Sequence, residues 1–205
     1  MNYLAHLHIA THCNSQLMGN LMADFVRGKP DNKFLPETTR AIYLHRFVDG
    51  YIDSLDAIKP YRALFPRHLY RFSAIALDMF WDHALVVHWD QFNKQPLEHF
   101  LMLAEASCRQ QTQDEPNPLP ERYLYLSDKM WREGWIPSYA DIQTLPFALK
   151  RMSSRSPRMA PLAETADTLL THRHTLLEAF PSIYEDVLDA AYLFHRRQQP
   201  TENQR

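Results

Sequence analysis

Glycine is the residue that most limits what this chain can fold into. Only 4 glycines stand against 14 prolines among 205 residues, where average usage is roughly 7% glycine. Gly19, Gly28, Gly50 and Gly134 are too scattered for a G-x-G-x-x-G turn or a phosphate-cradling P-loop, so dinucleotide and P-loop folds are excluded. A hairpin-rich β sandwich is disfavoured too, because tight hairpins need residues that accept positive φ.

The prolines instead punctuate helices. Ser15 is placed to cap a helix through Leu17, Leu21, Met22 and Phe25 that ends near Gly28. Pro36 suits the first turn of a second helix, carrying Ile42, Leu44, Phe47, Val48 and Ile52. Pro60 closes that segment and Pro66 delays the next. From about His68 to Phe92 the chain is apolar without a turn signal, which predicts one long, buried helix. Pro96 opens another helix to about Gln111, and the three prolines between Asp114 and Pro120 mark a loop. Short helices are expected over Arg122–Gly134 and from Tyr139 to Met152, with Ser138 as a cap. Pro161 begins a last helical region to Gln199, and Pro181 predicts a kink or break within it. The expectation is an all-α, single-domain helical bundle over residues 1–199, followed by a polar tail, 200–205.

Two cysteines, Cys13 and Cys108, make neither a zinc cluster nor a disulfide scaffold. The amino terminus lacks the pattern of a signal peptide, and no apolar run nears the ~20 residues that span a bilayer. A cytoplasmic protein without a membrane role is expected. The net charge of −2 argues against a nucleic-acid partner.

Within this apolar framework, aspartate and histidine recur together. His45, Asp49 and Asp53 are spaced i, i+4, i+8 on one helix face, and Asp78 and Asp82 are also i, i+4, with His83 next to Asp82. Asp24 lies in an apolar run, and His6 in an apolar amino-terminal segment. A carboxylate on a buried face must be paired, hydrogen-bonded or metal-bound, or it becomes neutral. Convergence of His6, Asp24, His45, Asp78, Asp82 and His83 would give a divalent-metal site with mixed nitrogen and oxygen ligands, of the kind that suits Mg²⁺, Mn²⁺, Fe²⁺ or Zn²⁺. Ordinary pairing is the alternative: Asp49 with Arg46, Asp78 with Arg71, Asp24 with Arg27. The remaining histidines read as hydrogen-bonded core residues. Finally, Lys150–Arg158 carries four cations and no acid, either a solvated loop or an anion-binding rim. It lacks the interleaved aromatics that stack nucleic-acid bases.

Several stretches together carry a family resemblance. Met1-Asn2-Tyr3-Leu4-Ala5-His6-Leu7, Gly19–Gly28, Leu44-His45-Arg46-Phe47-Val48-Asp49, Leu77–Leu85 and Met152–Arg158 resemble the acyl carrier protein phosphodiesterases, in that family's order and over most of the chain. The resemblance implies an HD-domain-like metal phosphohydrolase, here with Asp82-His83 in the reverse of the usual His-Asp order. It implies removal of the 4′-phosphopantetheine arm from holo acyl carrier protein with a divalent metal, typically Mn²⁺. Asp24 matches the family's essential aspartate. On this basis Asp24, His45, Asp78, Asp82 and His83 are expected to hold the metal or orient water, and His6 to act as ligand or as proton donor to the leaving serine oxygen. Arg27 and Arg46 are expected to neutralise phosphate. Arg151, Arg155 and Arg158 are expected to receive the acidic carrier. A phosphohydrolase of nucleotides or small phosphoesters, and a non-catalytic module for an acidic protein, are the alternatives.

Overall fold

A computed structural model describes residues 1–199 of the chain; the expected polar tail, 200–205, lies outside them. Every regular element among the described residues is helical, as the glycine-poor, proline-punctuated sequence predicts. In chain order the α-helices are α1 Tyr3–His12, α2 Leu17–Met22, α3 Pro36–Ser54, α4 Lys59–Arg62, α5 Ser73–Val87, α6 Trp89–Phe92, α7 Leu97–Asp114, α8 Glu121–Arg132, α9 Trp135–Ser138, α10 Thr144–Ser153, α11 Thr165–Thr171 and α12 Arg173–Gln198. Single 3₁₀ turns fill some of the joints, including Ala23–Phe25 directly after α2.

Helix α1, for which the sequence offers no signal, is the centre of the bundle. Leu4 through Ala10 are all buried. A helix apolar on every side has no amphipathic period to detect. Its Asn2 N-cap makes no side-chain capping bond. The orphan amides are satisfied from α5 instead: Leu4 N donates to Asp82 Oδ2 at 2.8 Å and Ala5 N to Asp82 Oδ1 at 3.1 Å. One turn earlier on α5, Asp78 Oδ1 accepts from the Met1 ammonium at 2.6 Å. The two aspartates thus grip the start of α1 and set where His6 stands.

Helix α3 begins at Pro36 as its first-turn chemistry predicts. Its entry is capped at long range by buried Glu115, which accepts from Leu35 N at 3.1 Å and from Thr38 Oγ1 at 2.7 Å. Helix α2 packs against it at Gly19, where an added Cβ would stand 2.7 Å from Ala41 Cβ. That close approach brings Asp24, just past α2, beside His45 on α3.

Two sequence expectations are corrected. The stretch His68–Phe92 is not one helix: α5 starts at Ser73 after a 3₁₀ turn, and it ends at His88, with φ −99° and ψ 16°, before α6. Conversely, α12 continues across Pro181, so that of the kink or break expected there the break does not occur. The reasons coincide. Proline at 181 cannot donate to the carbonyl of Leu177, four residues earlier; His88 Nε2 donates to that carbonyl at 3.1 Å. The side chain at the break in one helix therefore satisfies the backbone group that proline strands in the other.

Candidate metal centre

Helices α1 and α3 each bring one histidine to a shared point. The rings of His6 and His45 stack with centroids 3.7 Å apart. His6 Nε2 lies 3.1 Å from Asp49 Oδ1 and His45 Nε2 lies 3.1 Å from Asp49 Oδ2, so one carboxylate spans both imidazoles. The i, i+4 spacing of His45 and Asp49 puts them on one face of α3. Asp24 Oδ1 closes on His45 Nε2 at 3.2 Å from the other side. Both histidines are buried, whereas the Asp24 side chain is 71% exposed.

The electrostatics set one charged imidazole and the Met1 ammonium against the carboxylates. Burial disfavours the His45 imidazolium, but Asp24 and Asp49 outweigh it and hold its pKa up at about 9. Burial and the adjacent His45 charge push His6 down to about 4, against the pull of Asp49. Burial would raise Asp49, yet the two histidines keep it well below the usual carboxylate range. The hydrogen bond from His45 lowers Asp24 as well. The stacked pair therefore carries one positive charge, on His45, facing two carboxylates.

The residues fit a divalent ion. Among the described residues, His6, His45 and Asp49 offer ligand atoms that all lie within 4.8 Å of one another. Adjacent ligands on an octahedral ion held at about 2.1 Å sit about 3 Å apart, close to the 3.1 Å contacts observed. The neutral His6 offers a lone pair without first losing a proton. Mixed imidazole and carboxylate donors suit first-row divalent metals.

The other expected ligands stand elsewhere in the hydrogen-bond network. Asp82 is wholly buried as the cap of α1, and burial, opposed by the Leu4 and Ala5 amides, raises its pKa to about 7. Asp78 is taken by the Met1 ammonium, which also lies 3.5 Å from Asp49 Oδ1. His83 Nδ1 donates to the Tyr139 carbonyl at 2.7 Å. Asp49 is the member that the expected ligand set leaves out, although its spacing from His45 shows in the sequence.

Asp24 also lines a cleft of about 470 Å³ whose walls include Tyr3, Met79, Trp135, Phe147 and Met152, with Arg122, Arg151 and Arg155. Of the expected anion-binding residues, Arg151 and Arg155 are thus on the cleft. Arg158 is not among its lining residues; its carbonyl accepts from Arg71. Arg46 donates to the carbonyls of Val26 and Gly28, clamping the turn after Asp24, and Arg27 is exposed away from the cleft lining. Arg122, one exposed residue of α8, carries no sequence signal and reaches the site only through the fold.

Comparison with known proteins places the chain among named relatives. The family model described as acyl carrier protein phosphodiesterase matches residues 1–187. A protein of that description from Pectobacterium atrosepticum is 40% identical over 194 residues, covering 93% of this chain and 97% of the relative. Relatives of the same description from Salmonella agona and Escherichia coli O6:H1 are 36% and 35% identical over 192 residues, with the same coverage. No solved structure matches.

Proposed function

The chain belongs to the acyl carrier protein phosphodiesterase family, and from that premise we propose that it hydrolyses the phosphodiester joining 4′-phosphopantetheine to the serine of holo acyl carrier protein, with Mn²⁺ as its metal. The observation that carries this reading is the position of Asp24. It touches the buried His45 of the His6, His45 and Asp49 cluster and at the same time lines the arginine-bearing cleft.

His6, His45 and Asp49 would hold the ion, with Asp24 at its open side. A divalent ion there supplies charge withdrawal from the phosphodiester and a water that is nucleophilic near neutral pH. Asp24, exposed on the cleft beside His45, accepts a hydrogen bond from the attacking water, orients it toward phosphorus and takes its proton, which then passes to the leaving serine oxygen. His6, buried and neutral, serves as ligand; its depressed pKa unsuits it to protonate the leaving serine oxygen. Arg151 and Arg155 offset the remaining phosphate charge from the cleft wall. The amide-bearing arm would lie along Tyr3, Trp135 and Met79, an apolar wall to which the Tyr3 hydroxyl adds a polar tip. Asp78 and Asp82 act through α1 as positioning residues for His6.

Intact-mass spectrometry of holo carrier protein incubated with the protein and Mn²⁺ tests this. Loss of the whole phosphopantetheine mass, abolished by EDTA and restored by Mn²⁺, is expected. An unchanged carrier mass, with mononucleotides cleaved instead, would contradict it.

A further inference from the structure

Phe147 is out of place. It is 73% exposed, although its helix, α10, buries Leu145 and Leu149 beside it. It stands on the same cleft as Arg122, Arg151 and Arg155. Among the described residues none of these three arginines has a carboxylate within ion-pair distance. Arg151 is held instead over the ring of Trp135, at 4.3 Å from its centroid. On α8, Tyr125 follows Arg122 by three residues and so shares its face, and it is 62% exposed.

A pantetheine arm bears no charge beyond its phosphate, which Arg151 and Arg155 already face, so it leaves Arg122 unexplained. It also explains no phenylalanine at the outer edge. An exposed aromatic sharing a cleft with guanidiniums that have no carboxylate partner has the composition of an interface core with a charged rim. We propose that Phe147, flanked by Arg122, Arg151 and Arg155, is the seat on which the folded body of an acidic partner protein docks, with an apolar side chain of the partner covering the ring. This rests on the reading above that the substrate is a carrier protein. It adds that recognition is of the carrier's surface and does not require the arm. The partner's charge follows from the unpaired arginines; its apolar contact follows from Phe147. The arginines steer the encounter, and the ring supplies the salt-insensitive part of the affinity.

The test uses apo carrier protein, which has no arm, labelled with a fluorophore, and reads its anisotropy against the Mn²⁺-loaded wild type, Phe147→Ala and Arg122→Glu. Circular dichroism melts confirm that both surface variants fold. Phe147→Ala should weaken binding at least tenfold at both about 0.05 M and about 0.5 M NaCl. Arg122→Glu should weaken it at low salt and approach wild type at high salt, where charges are screened. Wild-type affinity in Phe147→Ala, or no binding of apo carrier by the wild type, would overturn the docking seat. Release of the arm from holo carrier by the wild type is followed in parallel. If release proceeds while Phe147→Ala binds normally, the seat alone is wrong. If the wild type releases no arm, the carrier reading itself fails.

Discussion

Binding of Mn²⁺ should displace the proton that His45 carries, and the size of that linkage follows from the site. With its pKa held at about 9 by Asp24 and Asp49, His45 is almost fully protonated at pH 7, while a metal takes only the neutral imidazole. The proton therefore weakens apparent affinity about 100-fold at pH 7 and about tenfold at pH 8, or about 2.7 and 1.4 kcal/mol. His6, at about 4, is already neutral and adds nothing in this range. Apparent affinity for Mn²⁺ should rise about tenfold per pH unit from 6.5 to 8.5. Isothermal titration at pH 7.5 in buffers of different ionisation enthalpy should report about one proton released per ion. The same group gives a stability prediction of definite sign. Its folded pKa lies above the ordinary value of 6.5, so its contribution is complete below pH 6.5 and is lost as pH climbs toward 9. In the metal-free protein His45 alone should contribute a loss of about 3 kcal/mol across that window, and Mn²⁺ should flatten that part of the loss. A pH-independent affinity with no proton release would refute the claim that the ion replaces the His45 proton.

Other perturbations separate chemistry from scaffold. Asp24→Asn should abolish arm release while the protein still folds, with a modest drop in melting temperature at neutral pH because His45 loses one of its two carboxylate partners. Asp82→Ala should do the reverse first: it uncaps α1 beneath two buried amides, costing about 1–3 kcal/mol per amide left unsatisfied, with activity falling as His6 is released. His88→Ala should lower stability by about 1–3 kcal/mol by orphaning the Leu177 carbonyl. The same change made on a Pro181→Ala background should cost much less, since the helix then supplies the missing donor; equal costs in both backgrounds would contradict the coupling.

The sequence made some of this legible and hid the rest for identifiable reasons. Local signals survive into the fold: Pro36 starts α3, Pro96 precedes α7, and the i, i+4 pair His45 and Asp49 does share a helix face. The burial cost of Asp78 and Asp82 is also readable, and both are engaged. That they grip α1, 77 or 78 residues earlier, is a tertiary pairing that helix spacing does not encode; a capping carboxylate and a metal-ligating one satisfy the same rule about buried charge. Asp49 looks locally like a partner for Arg46, but Arg46 turns away to the Val26 and Gly28 carbonyls and leaves Asp49 to the histidines. Arg122 and Phe147 look like ordinary helix-surface residues until α8 and α10 are folded against the same cleft.

Diffraction at the manganese edge from Mn²⁺-loaded crystals tests the metal centre most directly. A strong anomalous peak is expected within about 2.0–2.3 Å of ligand atoms from His6, His45 and Asp49, with Asp24 between it and the cleft. A peak coordinated by Asp78, Asp82 or His83, or full arm-releasing activity with no ion bound among the His6, His45 and Asp49 side chains, would contradict that placement.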